Sequence, residues 1–160
     1  MKKLYVVGNK ASKSLSPTIF NYWFKKYNIK ASYGYLELTE KNFHRKIKEV
    51  LEKKDTLGLN VTIPFKNKII KHLGKIDAHA KKIGAVNCVT NKKTINGTNT
   101  DWTGYYKTLP NIKKTKNRKV IILGYGGASH AIHYVLKKRG FKDILIFNRS
   151  KKKIKYSKNT

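Results

Sequence analysis

Residues 119–131, K-V-I-I-L-G-Y-G-G-A-S-H-A, constrain the fold more tightly than any other part of the chain. A short apolar run of strand type leads directly into a turn with three glycines, and apolar residues at helical spacing follow in residues 131–139. Gly140 ends this predicted helix, and residues 143–147 form a second apolar run. The sequence therefore predicts a strand–helix–strand unit with two parallel strands.

The first 110 residues alternate in the same way between strand-like and helix-like stretches. Strands are predicted at residues 4–7, 32–38 and 57–63, and two more, 85–90 and 94–98, are predicted to pair around the turn at 91–93. Helices are predicted from Ser16, from Thr39, and over residues 65–73, 77–83 and 101–109. This alternation predicts an α/β fold with a largely parallel sheet.

Two of these helices have specific sequence signals. Ser16 is predicted to be an N-cap, with Pro17 as the first helical residue. The helix from Thr39 has an apolar stripe at helical spacing, formed by Phe43, Ile47, Val50 and Leu51. Such a stripe predicts a helix that lies with one face against the sheet.

The formal net charge of the 160-residue chain is +29. A nucleic-acid-binding protein is expected to concentrate such charge on one face, but here lysine occurs in nearly every segment. Arginine, which makes bidentate contacts, occurs only at Arg45, Arg118, Arg139 and Arg149. Two interpretations stay open: solvated lysines that reflect a coding bias, or binding of a polyanion.

The chain has a single cysteine, Cys88, which allows no internal disulfide and no cysteine-based metal site. This suits a reducing cytoplasm. Apolar runs all fall well short of the roughly 20 residues that a membrane helix needs. We expect a cytoplasmic protein with no membrane or metal partner.

The glycine turn is a candidate dinucleotide site. Gly124, Gly126 and Gly127, followed by Ala128 and Ser129, lie where a strand passes into a helix. Glycines there allow the backbone to approach a pyrophosphate, which the helix N-terminus attracts. The alternative is a tight turn without a ligand.

The residues at the end of the second predicted strand indicate which dinucleotide would bind. NAD-binding units place an acid about 20 residues after the glycines, but this chain has Asn148, Arg149 and Ser150. An arginine with short hydrogen-bonding neighbours suits a 2′-phosphate, which favours NADP. A basic solvated loop is the alternative.

Further polar residues lie at predicted element boundaries, and such boundaries on one edge of an α/β sheet line the ligand crevice. In N-V-T-I-P-F-K, residues 60–66, Asn60 and Thr62 interrupt an apolar run that Lys66 follows. The other boundary residues are Ser14, Ser16, Asn87 and Asp101. For Ser16 and Asp101 the alternative is a helix N-cap, and for Lys66 it is a solvated lysine.

These stretches together resemble shikimate dehydrogenase. The matching segments are S-L-S-P (14–17), N-V-T-I-P-F-K (60–66), G-A-V-N (84–87), N-T-D (99–101), G-Y-G-G-A-S (124–129) and N-R-S (148–150). The resemblance covers essentially the whole chain. It implies a three-layer α/β substrate-binding domain in residues 1–110, a linker in 111–118 and an incomplete Rossmann-like NADP-binding domain in 119–160.

The resemblance also implies an activity, the NADPH-dependent reduction of 3-dehydroshikimate to shikimate on the route to chorismate and the aromatic amino acids. Ser14 and Ser16 would hold the substrate carboxylate, and Lys66 and Asp101 would be paired at the reacting oxygen. The residues implied to line the pocket and hold hydroxyls are Asn60, Thr62 and Asn87. The glycine turn would hold the pyrophosphate of NADP, and the residues assigned to its 2′-phosphate are Asn148, Arg149, Ser150 and Lys153.

The chain departs from the family pattern because it stops after one strand–helix–strand unit. We therefore expect a truncated form of such an enzyme. The alternatives are a substrate-binding fragment without turnover and a quinate/shikimate dehydrogenase variant. The expected partner is a small-molecule substrate, with no specific nucleic acid, and the expected state is a monomer or homodimer.

Overall fold

The computed structural model describes residues 1–110 and 118–148, and the chain divides into two compact units, Met1–Thr100 and Asp101–Thr160. The predicted linker falls outside the described residues except for its last residue, as do Arg149, Ser150 and Lys153. In the described parts of the chain, no helix has the length and apolar character needed to cross a membrane.

The first unit is built around a six-stranded sheet. Its strands are β1 (Lys2–Gly8), β2 (Ala31–Glu37), β3 (Thr56–Val61), β4 (Lys75–Ile76), β5 (Cys88–Asn91) and β6 (Ile95–Thr98), in the order β2-β1-β3-β5-β6-β4. β1 runs parallel to β2 and β3, β4 runs parallel to β6, and β5 is antiparallel to β3 and β6. The prediction of a mostly parallel sheet is confirmed, and so is the predicted pairing of β5 with β6.

Helices lie on both faces of this sheet. They are α1 (Ser16–Lys26), α2 (Phe43–Leu51) and α3 (Ala78–Ile83), with 3-10 helices at Ala11–Lys13 and Lys68–His72. Val6 and Val7 are neighbours in β1 and so point to opposite faces. Val6 packs with Tyr33 and with the rings of α1, whereas Val7 packs with the stripe of α2. The three-layer arrangement predicted for this part of the chain is confirmed.

The predicted stripe of α2 is buried, and it consists of Phe43, Ile47, Val50 and Leu51. The helix begins at Phe43, four residues after the predicted cap at Thr39. The intervening residues form a turn, in which the Phe43 N–H donates to the Thr39 carbonyl and the Thr39 N–H donates to Asn42 Oδ1. Ser16 is likewise the first residue of α1 rather than its N-cap.

Two further predictions in the first unit need correction. The strand predicted to reach residue 63 ends at Val61, and the helix predicted for residues 65–73 is a 3-10 helix from Lys68 to His72. β4 was not predicted, because a two-residue strand is too short to produce a periodic pattern.

The second unit contains α4 (Asp101–Thr108), β7 (Lys119–Leu123), α5 (Gly127–Lys138) and β8 (Asp143–Phe147). β7 and β8 pair in parallel, as the strand–helix–strand pattern predicts. α4 packs on α5, where the Arg139 guanidinium lies 3.9 Å from the centre of the Tyr106 ring. The first domain predicted from the sequence ends at residue 110, so it differs from the observed division by helix α4.

Among the residues that the structure describes, those packed on the small sheet of the second unit cover one of its faces. Ile122 and Ile146 pack under Leu136 of α5. On the other face, Ile121, Leu123 and Phe147 are 56%, 82% and 57% exposed. A two-stranded sheet with one bare apolar face is marginally stable in water.

We therefore expect amide hydrogens in β7 and β8 to exchange faster than those in β1 and β3, because opening the small sheet exposes less apolar surface. Hydrogen exchange followed by mass spectrometry or NMR on the 160-residue chain would measure both units in one sample. Equal protection of Val120 and Val6 in a monomer would contradict this expectation.

Candidate functional site

An aromatic stack anchors the segment that contains Lys66. The Phe65 ring is fully buried and stacks on the Phe43 ring of α2, with 4.2 Å between ring centres. The Phe65 N–H is bonded at 2.9 Å to the Thr62 carbonyl, which closes the turn. Lys66 is partly buried and lies between this turn and the following 3-10 helix, not in the first turn of a helix.

Backbone hydrogen bonds join this segment to G-A-V-N. The Val86 N–H donates to the Lys66 carbonyl at 2.7 Å, and the Val61 N–H donates to the Asn87 carbonyl at 2.8 Å. Asn60 and Lys66 are therefore in a segment that lies directly beside Asn87, as the boundary argument predicts.

G-A-V-N is joined in turn to N-T-D. Asn99 is 3% exposed, and its amide nitrogen donates to the Ala85 carbonyl at 2.9 Å. The Thr100 N–H donates to Asn87 Oδ1 at 2.8 Å, and Asn87 Nδ2 donates to Thr100 Oγ1 at 2.9 Å. Asn99 was not among the predicted site residues. Asp101 is the next residue after Thr100 and begins α4 in the second unit.

Tyr33 is a second residue that the sequence patterns missed. It reads as an ordinary strand residue, but its hydroxyl donates to Asn60 Oδ1 at 2.6 Å. Burial raises the pKa of Tyr33 to about 12, and electrostatic repulsion from Cys88 adds to this increase. A hydrogen bond from the Ser16 side chain acts in the opposite direction. Ser16, Tyr33 and Asn60 therefore form one connected polar group.

The serine pair begins helix α1. Ser14 Oγ accepts a hydrogen bond of 3.2 Å from the Ser16 N–H, so Ser14 supports the start of the helix. Both serines are partly buried. A hydroxyl that accepts in this way keeps its own O–H as a donor, which suits a carboxylate ligand.

The glycine turn of the second unit lies at the N-terminus of α5, where backbone N–H groups favour an anion. Gly124 has φ +94°, which favours glycine, and its N–H is bonded to the Phe147 carbonyl at 2.6 Å. The Ser129 hydroxyl donates to the Gly126 carbonyl at 2.7 Å and closes the turn before α5. Among the described residues, a Cβ added at Gly124 or Gly126 would have no atom within 4 Å. Within the described part of the chain, the turn therefore leaves room for a pyrophosphate at the N-terminus of α5.

Asn148 belongs to the same turn. Its Oδ1 accepts a hydrogen bond of 3.2 Å from the Tyr125 N–H, which joins the end of β8 to the glycines. Its role towards a 2′-phosphate remains a prediction.

Comparison with known proteins identifies the first unit. The family model for the shikimate dehydrogenase substrate binding domain matches residues 6–89. The chain belongs to the shikimate dehydrogenase family. The matched range contains the polar group of Ser16, Tyr33 and Asn60, and also Lys66 and Asn87.

Relatives of the shikimate dehydrogenase family match nearly the whole chain. Shikimate dehydrogenase from Thermotoga petrophila is 36% identical over 148 residues, which are 92% of this chain and 55% of the relative. The structure of shikimate dehydrogenase 1 from Peptoclostridium difficile matches with a TM-score of 0.85 and 32% identity, over 97% of this chain and 58% of that one. The chain thus spans little more than half the length of these relatives.

A third relative has bound ligands. The structure of shikimate 5-dehydrogenase from Thermus thermophilus in complex with NADP(H) and shikimate matches with a TM-score of 0.77 and 28% identity. The match covers 94% of this chain and 57% of that one. The resemblance and fold class predicted from the motifs are confirmed, whereas the roles of individual residues remain predictions.

A pair of histidines ties the Lys66 segment to α2. His44 Nδ1 and His72 Nε2 are 2.8 Å apart, and both rings lie edge-on to Phe43. Burial and the neighbouring His44 lower the pKa of His72 below its usual 6.5. The hydrogen bond needs at least one neutral ring, because two protonated rings would both be donors.

The lowered pKa predicts a loss of stability in mild acid. The unfolded chain takes up a proton first as the pH falls through 6.5, so the stabilisation is complete above pH 6.5 and is lost below it. We expect the free energy of unfolding to fall by at most about 1 kcal/mol, because the pair is partly exposed. Urea unfolding at pH 7.5 and 5.5 would show a smaller pH dependence for His72→Asn than for the unaltered chain. His133, whose pKa is also lowered by burial, is present in both proteins and its effect cancels. Equal pH dependence would contradict the prediction.

Asn99 should be important for stability. Asn99→Ala removes the buried donor to the Ala85 carbonyl, which would be left without that bond, and should lower the free energy of unfolding by about 1–3 kcal/mol. Urea denaturation would measure the loss. Asn9→Ala is the matched control because Asn9 is exposed, and an equal effect of both substitutions would contradict the assignment.

Proposed function

We propose that the chain provides the substrate-binding part of an NADP-dependent dehydrogenase that reduces 3-dehydroshikimate to shikimate. The observation that carries the proposal is the hydrogen-bonded joining of residues 60–66 with residues 85–87 and 99–100 in the first unit. Polar side chains from three separate segments thereby lie around one end of β3. The match to the substrate binding domain over residues 6–89 supports the same function.

The chemistry requires a cation and a proton at the substrate carbonyl. NADPH supplies the hydride when bound, and negative charge develops on the carbonyl oxygen as the hydride adds. The Lys66 ammonium can stabilise that charge and donate the proton. The role predicted for Asp101 is that of a carboxylate that orients the ammonium and binds a substrate hydroxyl.

The remaining side chains would hold the substrate ring. We assign the substrate carboxylate to Ser14 and Ser16. Ser14 keeps its O–H as a donor, whereas the Ser16 hydroxyl is bonded to Tyr33 and would exchange that bond for one to the carboxylate. Asn60, Thr62 and Asn87 have groups suited to the ring hydroxyls. Two of these residues are already bonded within the chain, Asn60 to Tyr33 and Asn87 to Thr100, and such bonds limit the rotation of their amides.

NADP is the proposed cofactor. The open glycine turn at the N-terminus of α5 fits a pyrophosphate, and Asn148, Arg149 and Ser150 stand where NAD-binding proteins place an acid. We assign the 2′-phosphate to this stretch together with Lys153. The Thermus thermophilus relative, described in complex with NADP(H), supports the choice.

Substrate binding without turnover is the second candidate. It is favoured by one observation, namely that the family model that matches the chain describes the substrate binding domain. A shikimate titration of the 160-residue chain, together with an assay for NADP reduction by shikimate in a complete enzyme made by joining this chain to the rest of the Thermotoga petrophila relative, would separate the two. Binding without reduction supports the second candidate, and reduction supports the first.

The role of Lys66 can be tested in a complete enzyme made by joining this chain to the rest of the Thermotoga petrophila relative. Lys66→Ala should lower kcat by about 10²–10⁴-fold, which is the usual contribution of general acid–base catalysis, with a smaller change in KM. Steady-state kinetics with NADPH and 3-dehydroshikimate would measure both.

Lys71→Ala is the matched control, since Lys71 is an exposed lysine of the same segment. Its kinetics should be unchanged. If Lys66→Ala leaves kcat intact and raises only KM, Lys66 binds substrate but does not take part in the chemical step.

A further inference from the structure

Tyr33 occupies a central place in the polar group of the first unit. The residue is 3% exposed, and it lies in β2 at the edge of the sheet. Its hydroxyl nevertheless reaches Asn60 in β3, two strands away, and is also hydrogen-bonded to the Ser16 side chain of α1. A buried hydroxyl with polar partners on two other elements is well placed to fix their orientation.

Side chains of helix α1 bind the backbone of Tyr33 and pack on its ring. Asn21 Nδ2 donates to the Tyr33 carbonyl at 2.8 Å, and the Tyr33 N–H donates to Asn21 Oδ1 at 2.9 Å. The Phe20 ring stacks on the Tyr33 ring, with 4.6 Å between centres. The position of the hydroxyl is therefore set independently of Asn60.

The direction of the hydrogen bond follows from the chemistry of the partners. Asn60 Oδ1 can only accept, so the Tyr33 O–H is the donor in their 2.6 Å bond. This distance is at the short end for O–H···O bonds, which indicates a well-formed contact. With its oxygen bonded to Tyr33, the Asn60 amide directs its NH2 group away from the tyrosine, and that group can only donate.

We propose that Tyr33 is a positioning residue, whose hydroxyl fixes the Asn60 amide so that its NH2 group donates to a hydroxyl oxygen of the bound ligand. The proposal rests on the proposed function and adds a specificity rule to it. Asn60 selects a ligand with an acceptor oxygen at this place, and an analogue with a hydrogen in place of that hydroxyl leaves the amide without a partner. Without the tyrosine hydroxyl, the amide is free to turn its oxygen towards the ligand.

Tyr33→Phe removes the hydroxyl and keeps the ring stack and both backbone bonds to Asn21. In an NMR titration, this variant of the 160-residue chain should bind shikimate about five- to tenfold more weakly than the unaltered chain. Tyr35→Phe is the matched control, because Tyr35 lies in the same strand with its side chain exposed, and its affinity should be unchanged.

The coupling to Asn60 separates positioning from a general structural effect. Asn60→Ala should weaken binding at least as much as Tyr33→Phe, and adding Tyr33→Phe to Asn60→Ala should cause no further loss. In the ligand-free chain, the side-chain NH2 resonances of Asn60 should shift in Tyr33→Phe and show faster rotation of the amide. Additive losses of affinity, or unchanged Asn60 resonances, would overturn the proposal.

A failure of the proposed function would give a different result. If the unaltered chain does not bind shikimate, the substrate assignment is wrong. The Asn60 resonances of the ligand-free chain then decide on Tyr33 alone. A shift of these resonances in Tyr33→Phe supports the positioning role of Tyr33. Unchanged resonances in that variant overturn it.

Discussion

Two backbone hydrogen bonds hold the candidate site together, one from Val86 to the Lys66 carbonyl and one from Val61 to the Asn87 carbonyl. They exist because β5 runs antiparallel to β3, which brings the start of β5 beside the end of β3. With a parallel β5, the residues before β5 would instead lie beside the start of β3. The reversal of direction within an otherwise mostly parallel sheet is therefore the feature that allows G-A-V-N and N-V-T-I-P-F-K to share one place.

The stability behind this arrangement comes from the core and less from charge. The ion pairs between described side chains, such as Lys3 with Asp55 and Arg45 with Glu49, are largely exposed, and exposed pairs contribute little. With 37 basic and 8 acidic residues, most lysines cannot find an acidic partner at all. The buried rings of Phe43 and Phe65 matter more, since they anchor the segment that leads to Lys66.

Local patterns predicted the parts of the fold that depend on neighbouring residues. The stripe of α2 follows from 3.6-residue spacing. The helix predicted over residues 77–83 is confirmed as α3, which Asp77 caps and which Gly84 ends in the left-handed region. The 3-10 helix was mistaken for an α-helix, because apolar spacing over five residues does not distinguish the two.

A residue of the candidate site was predictable only where its type contrasts with the residues next to it in the sequence. Lys66, Asn60 and Asn87 stand out as polar residues next to apolar runs. The contribution of Tyr33 depends on a hydrogen bond to a residue 27 positions away, and that of Asn99 on one 14 positions away. A tyrosine in a strand and an asparagine in a loop are both common, so no local pattern marks them.

The two hydrogen bonds from Asn21 to the backbone of Tyr33 have a consequence for the behaviour of the protein in solution. Among the strands of the described residues, β2 is the outermost on its side of the sheet. An edge strand offers unpaired N–H and C=O groups to any other chain. The Asn21 amide occupies one N–H and one C=O there, in the manner of a further strand. One asparagine on α1 thus shields the middle of an open edge and discourages sheet-to-sheet aggregation.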